Sequence, residues 1–129
     1  MNAAEKKYQG TVLKVDDTPC CIDLIAMGLS RKGLKVLNTF NSNKGIQIAE
    51  QAQPDVILLN FMSDMNSFEV YQVLKSKETT QNIPVIFMFS MKSIESELIP
   101  KEILEMEYVT KPFRMKEVWE HVKKYLKPI

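Results

Sequence analysis

At 129 residues, 45% of them hydrophobic and 26% charged, the chain has the length of one domain and enough apolar content for a packed core. A formal net charge of +1 excludes bulk electrostatic attraction to nucleic acid or to an anionic membrane surface. No stretch reaches the roughly 18 continuous apolar residues of a membrane span, and "MNAAEKKYQG" lacks the apolar centre of a secretory signal, so the cytosol is the expected location.

Residues 1–10 are polar and end in Gly10, which predicts a flexible lead before a single domain over 11–129. "TVLKV" (11–15) reads as a first strand, closed by Asp16-Asp17. In "TPCCIDLIAMGLSRKG" Thr18 is placed to cap a helix and Pro19 suits its first turn. Ile22, Ile25, Ala26 and Leu29 share one helical face, and Gly33 ends it. The adjacent Cys20 and Cys21 cannot form an unstrained bridge and read as reduced thiols or small apolar residues.

"LKVLNTF" (34–40) is a second strand, and residues 42–53 form a helix with Ile46, Ile48 and Ala49 inward. "DVILLN" (55–60) is the continuous apolar run of a central strand covered on both faces. Residues 67–78 follow as a helix with Phe68, Val70, Tyr71 and Leu74 as its apolar set. "IPVIFMFS" (83–90) is a fourth, buried strand. Residues 93–105 read as a helix interrupted at Pro100, 107–110 as a fifth short strand, and 114–127 as a terminal helix with Val118, Val122 and Leu126 inward.

Strands alternating five times with helices imply an α/β fold, a doubly wound parallel sheet with helices on both faces and right-handed crossovers. In such a sheet functional groups collect at the carboxyl ends of strands, which selects Asp16-Asp17, Asn60, Phe89-Ser90 and Thr110-Lys111-Pro112. Paired acids suit a divalent cation and a nearby lysine suits an anion. The set suggests a magnesium-dependent phosphoryl site with an amide at its centre. No glycine-rich phosphate loop follows the first strand, which argues against a nucleotide-binding enzyme. His121, amid lysines, reads as part of a solvated face.

The stretches "VDDTP" (15–19), "PDVILLN" (54–60), "FEVYQVLK" (68–75), "IPVIF" (83–87) and "YVTKPF" (108–113) occur in an order and spacing that resemble the receiver domain of two-component response regulators. The resemblance covers nearly the whole chain and implies a five-stranded sheet of order 2-1-3-4-5. It implies magnesium at Asp16 and Asp17, a phosphoacceptor position at Asn60, and a phosphate-bonding hydroxyl at Phe89, with Ser90 one step beyond. It also implies a phosphate-bonding Lys111 before Pro112 and a switch aromatic at Tyr108.

The chain departs from that pattern. Asn60 carries no carboxylate, and Phe89 has no hydroxyl and brings a ring toward the acceptor. "FMSDMNS" lacks the usual proline and has Ser67 in place of glycine, Leu104-Glu105 replaces a glycine pair, and Lys14 occupies a normally apolar strand position. The expected protein is therefore a degenerate receiver and not an enzyme. It would take no cofactor beyond weakly held Mg2+, with Lys111 paired to Asp16 or Asp17. Its partners would be a histidine kinase, a downstream signalling protein or a second copy, met through the fourth helix, fifth strand and fifth helix. Met106, Tyr108 and an exposed Trp119 would be anchors, with no direct contact to nucleic acid or membrane. The alternative is a conventional phosphoaccepting receiver in which Asn60 replaces the acceptor aspartate.

Overall fold

The computed structural model describes residues 7–16, 23–60, 67–92, 99, 101–110 and 112–129. In chain order these form β1 (Tyr8–Gln9), β2 (Thr11–Val15), α1 (Leu24–Arg31), β3 (Lys35–Thr39), α2 (Ser42–Ala52), β4 (Val56–Asn60) and α3 (Ser67–Ser76). They continue with β5 (Val85–Phe89), α4 (Lys101–Leu104), β6 (Tyr108–Thr110), α5 (Met115–Val122), a 3-10 turn (Lys123–Tyr125) and β7 (Lys127–Pro128).

Five strands form one parallel sheet in the order β3-β2-β4-β5-β6, the 2-1-3-4-5 arrangement that the receiver resemblance implies. Every residue of β4 and β5 is buried, as their unbroken apolar runs require. Alternation along the strands divides the core in two. Leu13, Val15, Ile57, Leu59, Phe87 and Phe89 pack with Ile46 and Ala49 of α2, Val70 and Leu74 of α3, and Ile103 of α4. Val12, Val56, Leu58, Ile86, Met88 and Val109 pack with Ile25 and Leu29 of α1 and Val118 and Val122 of α5. Each fully buried aliphatic side chain contributes roughly 1.5–3 kcal/mol of transfer free energy.

Helix α1 begins later than the Thr18-Pro19 signal suggested. Its cap is Asp23, in an extended conformation, with a side-chain oxygen accepting the Ala26 N–H at 2.9 Å. Thr18, Cys20, Cys21 and Ile22 lie outside the described residues. The helix closes at Lys32 and Gly33. Gly33 has φ +97°, and a Cβ there would come 2.8 Å from the Tyr8 carbonyl oxygen, so glycine is required by both conformation and space. Of the helix expected over 93–105, Ile99 and residues 101–105 are described, helical over Lys101–Leu104, and Pro100 is not.

Both chain ends depart from expectation. The terminal helix stops at Val122 because the chain tightens into the 3-10 turn and turns extended at Leu126. Lys127 and Pro128 then pair antiparallel with Gln9 and Tyr8. The Tyr8 N–H donates to Lys32 O at 2.8 Å, and the Ile129 N–H donates to Lys7 O at 3.0 Å. Tyr8 meets Trp119 edge-on at 4.8 Å, and the Lys32 ammonium sits 5.1 Å from the Trp119 ring centroid. The flexible lead expected over 1–10 therefore does not extend to residues 8–10, which are tied by backbone pairing and by a ring contact. Among the described residues no helix is long and apolar enough to cross a membrane.

The Tyr8–Trp119 contact gives a direct expectation. Tyr8→Ala removes the ring that covers Trp119 and lowers stability by about 1–3 kcal/mol in urea unfolding. Trp119 emission moves to longer wavelength in the folded state; an unchanged spectrum and midpoint would contradict the packing.

Candidate functional site

The site lies at the carboxyl ends of β2 and β4. Alternation on β2 places Lys14 on the same side as Val12, in the layer with α1, where the residue is only 6% exposed. An ammonium in such surroundings is costly unless paired. Its four-carbon stem carries it to the strand end, where Nζ lies 2.8 Å from Asp16 Oδ2 and 3.1 Å from Asp23 Oδ2. Asp23 thus does two things, capping α1 with one oxygen and accepting from Lys14 with the other. On the other side, Asn60 at the end of β4 donates from Nδ2 to Asp16 Oδ1 at 2.7 Å. The Asp16 N–H donates to Thr39 O at 3.0 Å, fixing its backbone against the end of β3. Asn60, Asp16, Lys14 and Asp23 therefore form one continuous polar chain from β4 through β2 to the start of α1. Among the described residues no buried side-chain polar atom lacks a partner.

The role of Lys14 was missed in the sequence, where it stood out only as a charge in an apolar strand. The available signal was its spacing: Lys14 and Asp16 are two apart on a strand and so share a face. Asp17 and Lys111, expected to complete the acidic pair and to pair with it, lie outside the described residues. Among the described residues no group of three or more His, Cys, Asp or Glu converges as a metal site. Magnesium takes oxygen ligands at about 2.0–2.1 Å. Here both Asp16 oxygens accept from nitrogen donors, and Asn60 turns its amide nitrogen toward the carboxylate. As arranged, these residues do not fit a magnesium ion.

The remaining expected residues separate into two layers. Phe89 is buried and stacks on Tyr108, with centroids 5.0 Å apart and planes 25° apart, in the layer of α2, α3 and α4. Asn60 is in register with Met88, which belongs to the opposite layer, so the Phe89 ring lies on the other face of the sheet from Asn60. Met106, like Tyr108, is partly buried against the core layer that contains Phe89, and Ser90 is half-buried just past the end of β5. Trp119 does not join them. It follows Val118 on the α5 surface that faces Tyr8 and the other layer, so the common aromatic anchor expected with Tyr108 and Met106 is not formed.

A second titratable cluster occupies the amino end of β6. Glu107 accepts from Lys124 Nζ at 2.5 Å and from the Tyr125 hydroxyl, and lies 2.5 Å from His121 Nδ1. Burial pushes the Glu107 carboxyl up, but hydrogen bonds from Lys124, Tyr125 and His121 outweigh it and hold the group below the ordinary range. The bond to Glu107, with burial and the carboxylate charge, pushes the Tyr125 phenol up to about 12. His121 is therefore half-buried in an ion-pair cluster, not on the solvated face expected for it.

Residues 12–123 match the response regulator receiver domain family. The chain is 32% identical over 117 residues to the DNA-binding dual master transcriptional regulator RpaA of Synechocystis sp., covering 90% of this chain and 48% of that protein. It is 30% identical over 102 residues to protein PilH of Pseudomonas aeruginosa, covering 78% of this chain and 84% of that protein. It spans about half the length of RpaA and of the similar regulators TcrX and PhoB. Among solved structures, chemotaxis protein CheY4 of Vibrio cholerae superposes with a TM-score of 0.76 at 20% identity, covering 91% of this chain and 98% of that one. The receiver domain of sensor histidine kinase PA1611 of P. aeruginosa, which holds a magnesium ion in its active-site cleft, gives 0.77 at 20% identity, covering 91% and 97%. At that identity the two structures establish the fold.

Two outcomes follow from the geometry. Asn60→Asp replaces a donor to Asp16 with a second carboxylate and lowers stability at neutral pH by about 1–3 kcal/mol, measured by urea unfolding. Absorbance titration finds Tyr125 ionising at about 12, and Glu107→Gln brings it back toward 10.0. The Tyr125 contribution to stability is present below pH 10 and lost as pH rises through about 12. That of Glu107, whose value is lowered, is present above its ordinary 4.5 and lost as pH falls through the folded value.

Proposed function

The chain belongs to the response regulator receiver domain family, and within it we propose an atypical receiver that signals through protein–protein contact without phosphorylation of an aspartate. Receiver domains work with histidine kinases and output partners, and this chain is read as a binding module of that kind rather than an enzyme. One observation carries the reading: at the end of β4 the side chain is Asn60, and it faces Asp16 as a hydrogen-bond donor.

A receiver's acceptor is a carboxylate that attacks phosphorus and becomes an acyl phosphate. An amide oxygen is a far weaker nucleophile and gives a different product. On this reading Asn60 stands at the acceptor position, Asp16 and Asp17 are the acidic pair, and Lys111 is the phosphate-bonding lysine. Phe89 takes the place of the hydroxyl residue, and Ser90 follows it. Magnesium has at most a weak hold on Asp16 and Asp17, and no resident cofactor is assigned.

The partner face is α4, β6 and α5, with Met106 and Tyr108 as its apolar contacts. Tyr108 stacked on Phe89 supports a face whose aromatic is already fixed, independent of a phosphoryl group. The partner is a histidine kinase, a downstream signalling protein or a second copy, met in the cytoplasm. The DNA-binding activity of RpaA is not carried over, because the match covers 48% of that protein and a net charge of +1 gives no bulk attraction to nucleic acid.

Incubation with acetyl phosphate and magnesium, followed by intact-mass measurement, tests the reading. The expected mass is unchanged, and partner capture is the same with and without the phosphodonor. A phosphoryl adduct on the unaltered chain would return it to the phosphoaccepting receivers.

A further inference from the structure

We infer that the Lys14 ammonium is a built-in cation, standing for the divalent ion that a receiver cleft takes from solution and making this cleft indifferent to magnesium. The inference uses the family reading to identify the cleft, but not the loss of phosphorylation.

Position supports it first. Lys14 enters from the middle of β2, a place where an apolar side chain would serve packing, and it is almost wholly buried. Its charge ends at the strand tip between the carboxylates of Asp16 and Asp23. A solvent-borne cation at the acidic pair would share the Asp16 carboxylate with Lys14, but Lys14 is covalently tethered, so its local concentration does not depend on the medium.

Charge balance supports it second. Exchanging a divalent ion for an ammonium removes one positive charge from the cleft. Exchanging a carboxylate for the Asn60 amide removes one negative charge. The two changes cancel, and the amide supplies an N–H to Asp16 Oδ1 while Lys14 meets Oδ2. Lys14 and Asn60 are thus matched: each makes electrostatic sense of the other. A metal would have to compete with the ammonium for Asp16 Oδ2 and with the amide N–H for Oδ1.

The test is Mn2+ titration followed by paramagnetic broadening of the Asp16, Ala26 and Asn60 amide resonances, with no phosphodonor present. The unaltered chain is expected to show no site-specific broadening up to ~10 mM. Lys14→Met, which keeps the apolar stem, gains at least tenfold in affinity, and its thermal midpoint rises with added Mg2+. Adding Asn60→Asp to Lys14→Met tightens binding further, whereas Lys14→Arg remains indifferent. Site-specific binding by the unaltered chain as tight as by Lys14→Met overturns the inference. So does a folded Lys14→Met that gains nothing, or one that stays unfolded whatever the cation. A phosphoryl adduct on the unaltered chain bears on the proposed function and leaves this binding result to be judged separately.

Discussion

An ammonium buried in a sheet must bring its counter-charge with it, and at the top of β2 that requirement organises the surrounding structure. Lys14 holds Asp16 on its own strand and Asp23 at the start of α1, while Asn60 reaches Asp16 from β4. The ends of β2 and β4 and the start of α1 are joined at the carboxyl edge of the sheet by one polar network. The arrangement is self-consistent because each member gives a buried or half-buried polar group a hydrogen-bonding or ionic partner. It also sets the chemistry of the cleft. The central carboxylate accepts from nitrogen on both oxygens, and the neighbouring amide acts as a donor.

The opposite edge is secured differently. There the Glu107 cluster fastens the end of α5 and the following turn to the start of β6, and the Tyr8–Gln9 and Lys127–Pro128 pair closes the two chain ends together. Tyr108 follows Glu107 directly and is stacked from behind by Phe89. The face that carries Met106 and Tyr108 is thus braced at its base by ion pairs and from the core by a ring. On the proposed reading, a surface fixed in this way would recognise a partner by shape, and the cleft would act as a structural clamp rather than a reaction centre.

Much of the fold was legible because it rests on long, regular patterns. The unbroken apolar runs of β4 and β5 and the helical spacing of α2 and α3 are local signals that tertiary packing reinforces. What escaped was local in another sense. A two-residue strand such as Tyr8–Gln9 is too short to show a period, and its existence depends on a partner more than a hundred residues away. Trp119 and His121 were assigned to a partner face and to solvent because a helix pattern gives their angle around the axis, not what lies opposite. The cleft was half legible: Asp16 and Asn60 were identified from strand ends, but Lys14 looked like an exception to an apolar pattern. Its meaning needed Asp23, and Asp23 became relevant only once α1 was seen to begin there and not at Thr18.

The most direct test of this account is a crystal of the unaltered chain grown in manganese, with an anomalous difference map over the carboxyl edge of β2 and β4. The account predicts no anomalous peak beside Asp16, and ammonium density between the Asp16 and Asp23 carboxylates. A manganese peak within bonding distance of Asp16, with the Lys14 side chain turned away from it, would contradict the account.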